Sequence, residues 1–106
     1  MTYYKDMIVF KKAFELAMDI FEISKRFSKE EIYSLTDQIR RSSRSVCTNF
    51  AEAYRRRKYI AHFVSKLTDS DSENSETEVW LDFAYACKYI TEEQHRSLSQ
   101  KNSEVG

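Results

Sequence analysis

The composition and periodicity of the sequence predict an all-α fold, namely an antiparallel up-down four-helix bundle. The 106 residues include no proline and one glycine, whereas the tight turns of β-rich folds draw heavily on both residue types. Apolar residues recur every three or four positions along most of the chain, which is the spacing of a buried helix face. We therefore expect one bundle over residues 1–99 and a frayed polar tail over residues 100–106.

The first helix is predicted to run from residue 4 or 5 to residue 27. Its apolar residues cover a wider arc than the roughly 100° stripe of a helix that packs on one side. The helix could be central in the bundle, or it could bury a second face against another subunit, and we favour the second explanation. The predicted oligomer interface consists of four of its side chains: Phe10, Phe14, Ile20 and Phe21.

The second helix is predicted over residues 29–56, because Ser28 and Glu31 have the spacing of a capping box. Small Ser42 and Ser43 lie in its apolar stripe and would allow another helix to approach closely. The chain must reverse near the end of this helix. We place the turn within residues 54–59, although neither glycine nor proline occurs there.

The second half of the chain is predicted to form two further helices. Its polar middle section could be a solvated linker by composition. Ser70, Asn74 and Thr77 nevertheless stay in phase with the apolar residues on either side, so a continuous helix fits equally well. We predict that residues 68–77 are helical, with Ser70 or Asn74 within hydrogen-bonding reach of the second helix. A capping box over residues 91–94 then predicts a short fourth helix.

Asn49 lies beside the apolar stripe of the second helix, where a buried amide needs hydrogen-bond partners. Polar residues of the third helix could supply them, namely Ser70, Asn74 or Thr77. Such a contact often fixes the register of two helices. We favour this structural role over that of a boundary asparagine facing water.

Charge is distributed unevenly although the net charge is zero. Residues 1–67 hold 14 basic against 8 acidic residues, and residues 68–106 hold 3 against 9. The acidic half could lie beside the basic half within one molecule, or a basic face could stay open for a partner. Both explanations remain open at this stage.

Arginines dominate the second helix and the predicted turn after it, where a phosphate backbone could bind. Arg41, Arg44 and Arg55 are expected on one side of the helix, opposite its core stripe. Tyr54 and Tyr59 could stack on bases, but we favour a structural role for both. The predicted nucleic-acid-binding residues are Arg40, Arg41, Arg44, Arg55, Arg56, Arg57 and Lys58.

The sequence lacks the motifs that several classes of function require. The histidines and cysteines do not have metal-ligand spacing, and no glycine-rich phosphate loop is possible with a single glycine. We therefore predict no enzyme activity, no cofactor and no metal site. No apolar run approaches the roughly 20 residues of a membrane span, and the N-terminus does not resemble a signal peptide. A cytoplasmic protein with reduced cysteines and no membrane contact is expected.

Residues 39–54, IRRSSRSVCTNFAEAY, resemble the signature of four-helix-bundle proteins encoded in intervening sequences of large-subunit ribosomal RNA genes. The segments FSKEEIYSLTDQIRR and SETEVWLDFA are also similar to this family, so the resemblance covers about residues 5 to 94. Members are often labelled ribosomal proteins and resemble the accessory protein of diversity-generating retroelements. Cys47 and Ala53 stand where many members have proline and glycine, and both changes favour an unbroken helix.

The resemblance implies a ring-shaped homopentamer without known enzyme activity. For the retroelement branch it also implies binding of nucleic acid and of a reverse transcriptase. We therefore predict a non-catalytic oligomeric binding module that holds the RNA or DNA backbone on a basic helix face. The alternative is a protein-interaction scaffold that does not bind nucleic acid, and competition by unrelated nucleic acids would separate the two.

Overall fold

The computed structural model describes residues 3–106, and the first two residues of the predicted domain lie outside this range. Short 3₁₀ turns cover Tyr4–Asp6 and Lys29–Glu31. No strand occurs in the described part of the chain, and the predicted all-α class is confirmed. The four helices are α1 (Ile8–Ser24), α2 (Leu35–Arg55), α3 (Ile60–Ala86) and α4 (Glu92–Val105).

The helices form an antiparallel up-down bundle, because each short connection returns the chain beside the helix that precedes it. α1 and α3 each pack on both α2 and α4, so α1 lies diagonally opposite α3, and the α2–α3 pairing is the most extensive. The bundle measures 44 × 23 × 17 Å. At about 1.5 Å per residue, α3 alone spans nearly this length. Within residues 3–106, no helix combines the length and apolar character that a membrane span requires.

Two apolar clusters form the core. The larger contains side chains from all four helices and from the connections at one end, and the smaller joins α1 to α2. Ile20 belongs to the larger cluster and has 0% exposed surface within the single chain. This corrects the prediction that Ile20 lies at an oligomer interface. The physical reason is that α1 contacts two helices, so part of its wide apolar arc is covered inside the bundle.

Small polar residues line the contact between α2 and α3. The buried hydroxyls of Ser42 and Thr77 lie 2.8 Å apart, and Ser70 donates to the Val46 carbonyl of α2 at 2.9 Å. Residues 68–77 are therefore helical and Ser70 reaches α2, as predicted. These hydrogen bonds join groups other than Asn49, which is half-buried. The register contact expected at Asn49 is made instead by Ser42 and Thr77.

α4 begins at the predicted capping box and continues further than predicted. The Gln94 N–H donates to the Thr91 hydroxyl at 3.1 Å, and the Thr91 N–H donates to the Gln94 side chain at 2.8 Å. Near the other end, the Asn74 amide donates to the Asn102 side-chain oxygen at 2.8 Å, and the Asn102 amide donates to the Asn74 carbonyl at 3.0 Å. This buried pair anchors α4 on α3. The frayed tail predicted over residues 100–106 is therefore wrong, because α4 continues through most of it.

The predicted capping box at Ser28 is not formed, and α2 begins at Leu35 after a 3₁₀ turn. The Glu31 carboxylate accepts a hydrogen bond from the Ser34 hydroxyl at 2.6 Å. It also accepts one from the Tyr89 hydroxyl at 2.9 Å. These bonds, with that of Ser34 contributing most, hold the pKa of Glu31 below its usual value.

Tyr89 links the two connections at one end of the bundle. Its hydroxyl reaches Glu31 between α1 and α2, and its ring stacks on buried Phe27 with centroids 5.4 Å apart. We call the group formed by Phe27, Glu31, Ser34 and Tyr89 the Tyr89 end. The opposite end holds the α2–α3 connection and the start of the described chain.

Candidate nucleic-acid interface

The predicted binding residues separate into three groups around and along α2. Arg40 and Arg44, one helical turn apart, face α1. Arg41, about 100° further round the helix, lies on the α3 side, where its charge acts on Glu73. The structure therefore does not bring all seven cations onto one surface. The third group consists of Arg55, Arg56, Arg57 and Lys58 at the end of α2, and with Tyr54 and Tyr59 we call it the arginine end.

Phe21 of α1 lies beneath the first group. The guanidinium carbons of Arg40 and Arg44 lie 4.9 and 5.6 Å from the ring centroid, and the Lys25 amine lies 4.7 Å from it. Arg40 is half-buried and its Nε donates to the Ser24 hydroxyl at 2.8 Å. Each cation–ring contact is worth about 0.5–1 kcal/mol at an exposed site. Arg40 therefore helps to hold α2 on α1, and half-buried Phe21, predicted at the oligomer interface, packs against cations of its own chain.

Arg41 is exposed but faces the acidic side of the bundle. Burial and the neighbouring charge of Glu76 raise the pKa of Glu73, whereas the positive charge of Arg41 acts in the opposite direction. Lys66 similarly lies 3.6 Å from the Asp69 carboxylate of the acidic half. In the middle of the bundle, part of the charge asymmetry is thus compensated within the molecule.

The arginine end is different, because its cations are exposed and form no ion pair with a carboxylate of the described residues. Arg55, Arg56, Arg57 and Lys58 are all exposed, and in the described range 3–106 none of them lies within 4 Å of a carboxylate. The Arg57 guanidinium stacks on the Tyr54 ring at 4.2 Å from its centroid and donates to the Tyr54 carbonyl at 2.9 Å. The connection itself lies within the predicted residues 54–59.

A groove of about 960 Å³ opens beside these cations. Its lining includes Arg55, Arg56, Arg57 and Tyr59, together with Tyr3 and Tyr4 from the start of the described chain. Tyr3 and Tyr4 were not predicted as site residues, because they lie some fifty positions away in the sequence. Antiparallel packing of α1 and α2 places the start of one helix beside the end of the other, and this rule is the signal that could have found them.

A second groove, of about 400 Å³ and mostly apolar, continues between α1 and α2. Phe10 is half-buried in it, while Phe14 and Met18 are 54% and 45% exposed. Buried Cys47 also lines this groove, and burial raises the pKa of its thiol to about 11. Of the predicted interface residues, Phe14 is therefore the one that presents a large apolar surface, and Met18 extends that surface.

Together these features define a small all-helical bundle with a cationic, aromatic end. The chain belongs to the 23S rRNA-intervening sequence protein family, whose model matches residues 5–106. The predicted family resemblance is thus confirmed.

The fold is also that of a solved structure, described as a protein with unknown function from the S23 ribosomal protein family of Bacteroides thetaiotaomicron VPI-5482. The two chains are 31% identical with a TM-score of 0.83, and the match covers 92% of this chain and 91% of that chain. No curated protein sequence matches this chain. Neither the family description nor that of the solved structure names a catalytic activity or a ligand.

Proposed function

We propose that the chain is a non-catalytic module that binds the phosphate backbone of RNA or DNA at its arginine end. The observation that supports this is a run of four exposed cations, none of which lies within 4 Å of a carboxylate in residues 3–106: Arg55, Arg56, Arg57 and Lys58. Lysine and arginine contacts with phosphates are independent of base sequence and release counterions. Binding should therefore show little sequence preference and should weaken steeply as salt increases.

Self-association is the second part of the proposal, with a homopentamer as the favoured assembly. Large apolar side chains are exposed on two helices that lie diagonally opposite each other, namely Phe14 and Met18 on α1 and Val64 and Val79 on α3. When two different patches meet, the contact is head-to-tail, and such contacts form a ring when the rotation between neighbouring subunits closes and an open filament when it does not. A ring repeats the arginine end, so each further phosphate contact becomes intramolecular and increases the overall affinity.

Titration of fluorescently labelled single- and double-stranded oligonucleotides with the full chain, at several salt concentrations, tests nucleic-acid binding. We expect the anisotropy to rise at low salt for several unrelated sequences, with log K falling linearly with log salt. Absence of binding to every oligonucleotide at low salt would remove this function. Light scattering tests assembly, and a mass near the monomer value of 12.6 kDa at micromolar concentration would contradict the oligomer.

The apolar groove between α1 and α2 favours a second candidate function, a protein-interaction scaffold. Its exposed Phe14 and Met18, with Arg44 beside them, would suit an amphipathic partner that carries an acidic side chain. In that case unrelated nucleic acids would not compete with the partner. If nucleic acids instead displace the protein partner, and do so in proportion to their affinity for the arginine end, nucleic-acid binding is the favoured function.

A further inference from the structure

We propose that the groove at the arginine end binds unpaired nucleotides, so that its ligand is single-stranded RNA or DNA rather than a duplex. This inference rests on the proposed function and specifies its ligand. It comes from the planar side chains that lie among the cations, because cations alone would serve a duplex equally well. Aromatic rings interleaved with positive charges are the general arrangement for binding single strands.

Tyr59 provides the first planar surface. It directly precedes α3, its side chain does not cap that helix, and it is 64% exposed. Its ring meets His62 edge to face, with centroids 6.4 Å apart. The structural role expected for Tyr59 does not fit this exposure, whereas a base could stack on its ring.

Arg57 and Tyr54 provide the second planar surface. Two contacts hold the Arg57 guanidinium, its stacking on the Tyr54 ring and its hydrogen bond to the Tyr54 carbonyl. A guanidinium plane held in this way loses little further conformational freedom when a base stacks on its outer face. Its remaining N–H groups stay available for phosphate oxygens.

Two further rings line the same groove. They belong to Tyr3 and Tyr4, whose ring centroids lie 4.7 Å apart. A groove of about 960 Å³ is at the upper end of the roughly 300–1,000 Å³ usual for ligand pockets. A nucleotide with its flanking phosphates fits this size. The Glu52 carboxylate also lines the groove and would oppose a phosphate there, but its charge is partly compensated by Lys66 at 3.9 Å.

Base pairing decides which nucleic acid can use these surfaces. In a duplex each base is stacked on its neighbours and offers a protein its edges and phosphates, whereas an unpaired base offers its face. Stacking on one aromatic side chain changes affinity by about 5- to 150-fold when that side chain is replaced by alanine. We therefore expect the chain to bind a single strand more tightly than a duplex of the same length.

The test compares a labelled mixed-sequence 12-nucleotide strand with the blunt duplex of the same sequence, using the full chain and three variants. Tyr59→Ala should weaken single-strand binding about 5- to 150-fold and leave duplex binding unchanged. Tyr59→Trp should restore or exceed the original affinity. Tyr33→Ala is the matched control, because Tyr33 is 91% exposed and belongs to the α1–α2 connection, at the Tyr89 end. Circular dichroism establishes that each variant keeps its helicity.

Each outcome decides between specific statements. If the single strand and the duplex bind equally and Tyr59→Ala changes neither, the stacking inference is wrong while backbone binding stands. Tyr59→Ala could instead weaken the binding of both ligands by the same factor, or Tyr59→Trp could fail to restore binding. Either result would mean that the Tyr59 ring supports the protein structure and does not stack on a base. If neither ligand binds at low salt, the proposed function fails and this inference fails with it.

Discussion

The Tyr89 end and the arginine end both combine aromatic with charged side chains, but they use them differently. At the Tyr89 end, the Glu31 carboxylate accepts hydrogen bonds from Ser34 and Tyr89, and the Tyr89 ring stacks on buried Phe27. At the arginine end, the cations and the Tyr59 ring are largely exposed. The first end therefore uses its polar and aromatic groups to hold the chain together, and the second leaves them available to a ligand.

Topology explains this difference. Two connections meet at the Tyr89 end, so side chains from residues far apart in the sequence can bond across it. At the arginine end one connection lies beside the start of the described chain, and residues 55–58 are all positively charged. Like charges cannot pair with each other, so these cations interact with aromatic rings, with solvent or with a partner.

Phe27→Ala should give the largest effect and should act on stability alone. Removing a buried aromatic side chain at the Tyr89 end should lower the free energy of unfolding by about 3–5 kcal/mol. Urea unfolding measures this loss. Tyr33→Ala, at an exposed position of the same connection, should stay within about 0.5 kcal/mol. A loss below 1 kcal/mol for Phe27→Ala would show that the Tyr89 end does not stabilise the bundle.

Reversal of three charges at the arginine end should give the largest effect on binding. Changing Arg55, Arg56 and Arg57 to glutamate should weaken nucleic-acid affinity at low salt by at least about 100-fold, because attraction to phosphates becomes repulsion. The thermal midpoint should change little, since all three residues are exposed.

The matched control makes the same change in net charge near the Tyr89 end, at Lys25, Arg26 and Lys29, all of them exposed. Fluorescence anisotropy with the same oligonucleotides should show a much smaller loss for this variant. An equal loss would mean that the net charge of the molecule, and not the position of the arginines, governs binding.

Tyr89→Phe should have a moderate effect. It removes the hydroxyl that donates to Glu31 and retains the ring that stacks on Phe27. We expect the Tm to fall by a few degrees, with nucleic-acid affinity unchanged. Thermal melts of this variant beside Tyr33→Phe, which alters an exposed hydroxyl, measure the difference. Equal melting points for the two variants would show that the Tyr89–Glu31 bond adds nothing to stability.

The smallest effect concerns the pH dependence of stability. The folded chain lowers the pKa of Glu31 from its ordinary value of 4.5, through hydrogen bonds from Ser34 and then Tyr89. The carboxylate therefore contributes stability above pH 4.5, and this contribution is lost as the pH falls through the lower folded pKa. The Tm advantage of the original chain over Glu31→Gln should be constant from about pH 7 to 5 and should shrink towards pH 3. A Tm difference that does not shrink at low pH would contradict this contribution of the Glu31 carboxylate.

Local signals in the sequence were sufficient for much of the fold. The capping box at Thr91 depends on residues three positions apart, and it was predicted correctly. The in-phase polar residues correctly identified α3 as continuous, because Ser70 and Thr77 occupy the same face as the apolar core. The capping box at Ser28 is not formed, and Glu31 instead accepts hydrogen bonds from nearby Ser34 and from Tyr89, which lies 58 residues further along the chain.

The candidate site was predictable to a smaller extent. The sequence alone located the basic run at the end of α2. It did not reveal that Arg40, Arg41 and Arg44 have different neighbours on two other helices. Similarly, the polar composition of residues 100–106 concealed a buried face, because the side-chain amide of Asn102 is bonded to Asn74, 28 residues earlier in the chain.

The sequence by itself determined that the chain is helical, how many helices it has and which faces are apolar, because these properties follow from periodicity and local capping. Only the tertiary structure decided which polar groups are bonded inside the chain and which cations remain exposed. Those outcomes depend on pairs of residues that are distant in sequence, such as Glu31 with Tyr89, and on which side of α2 each neighbouring helix packs.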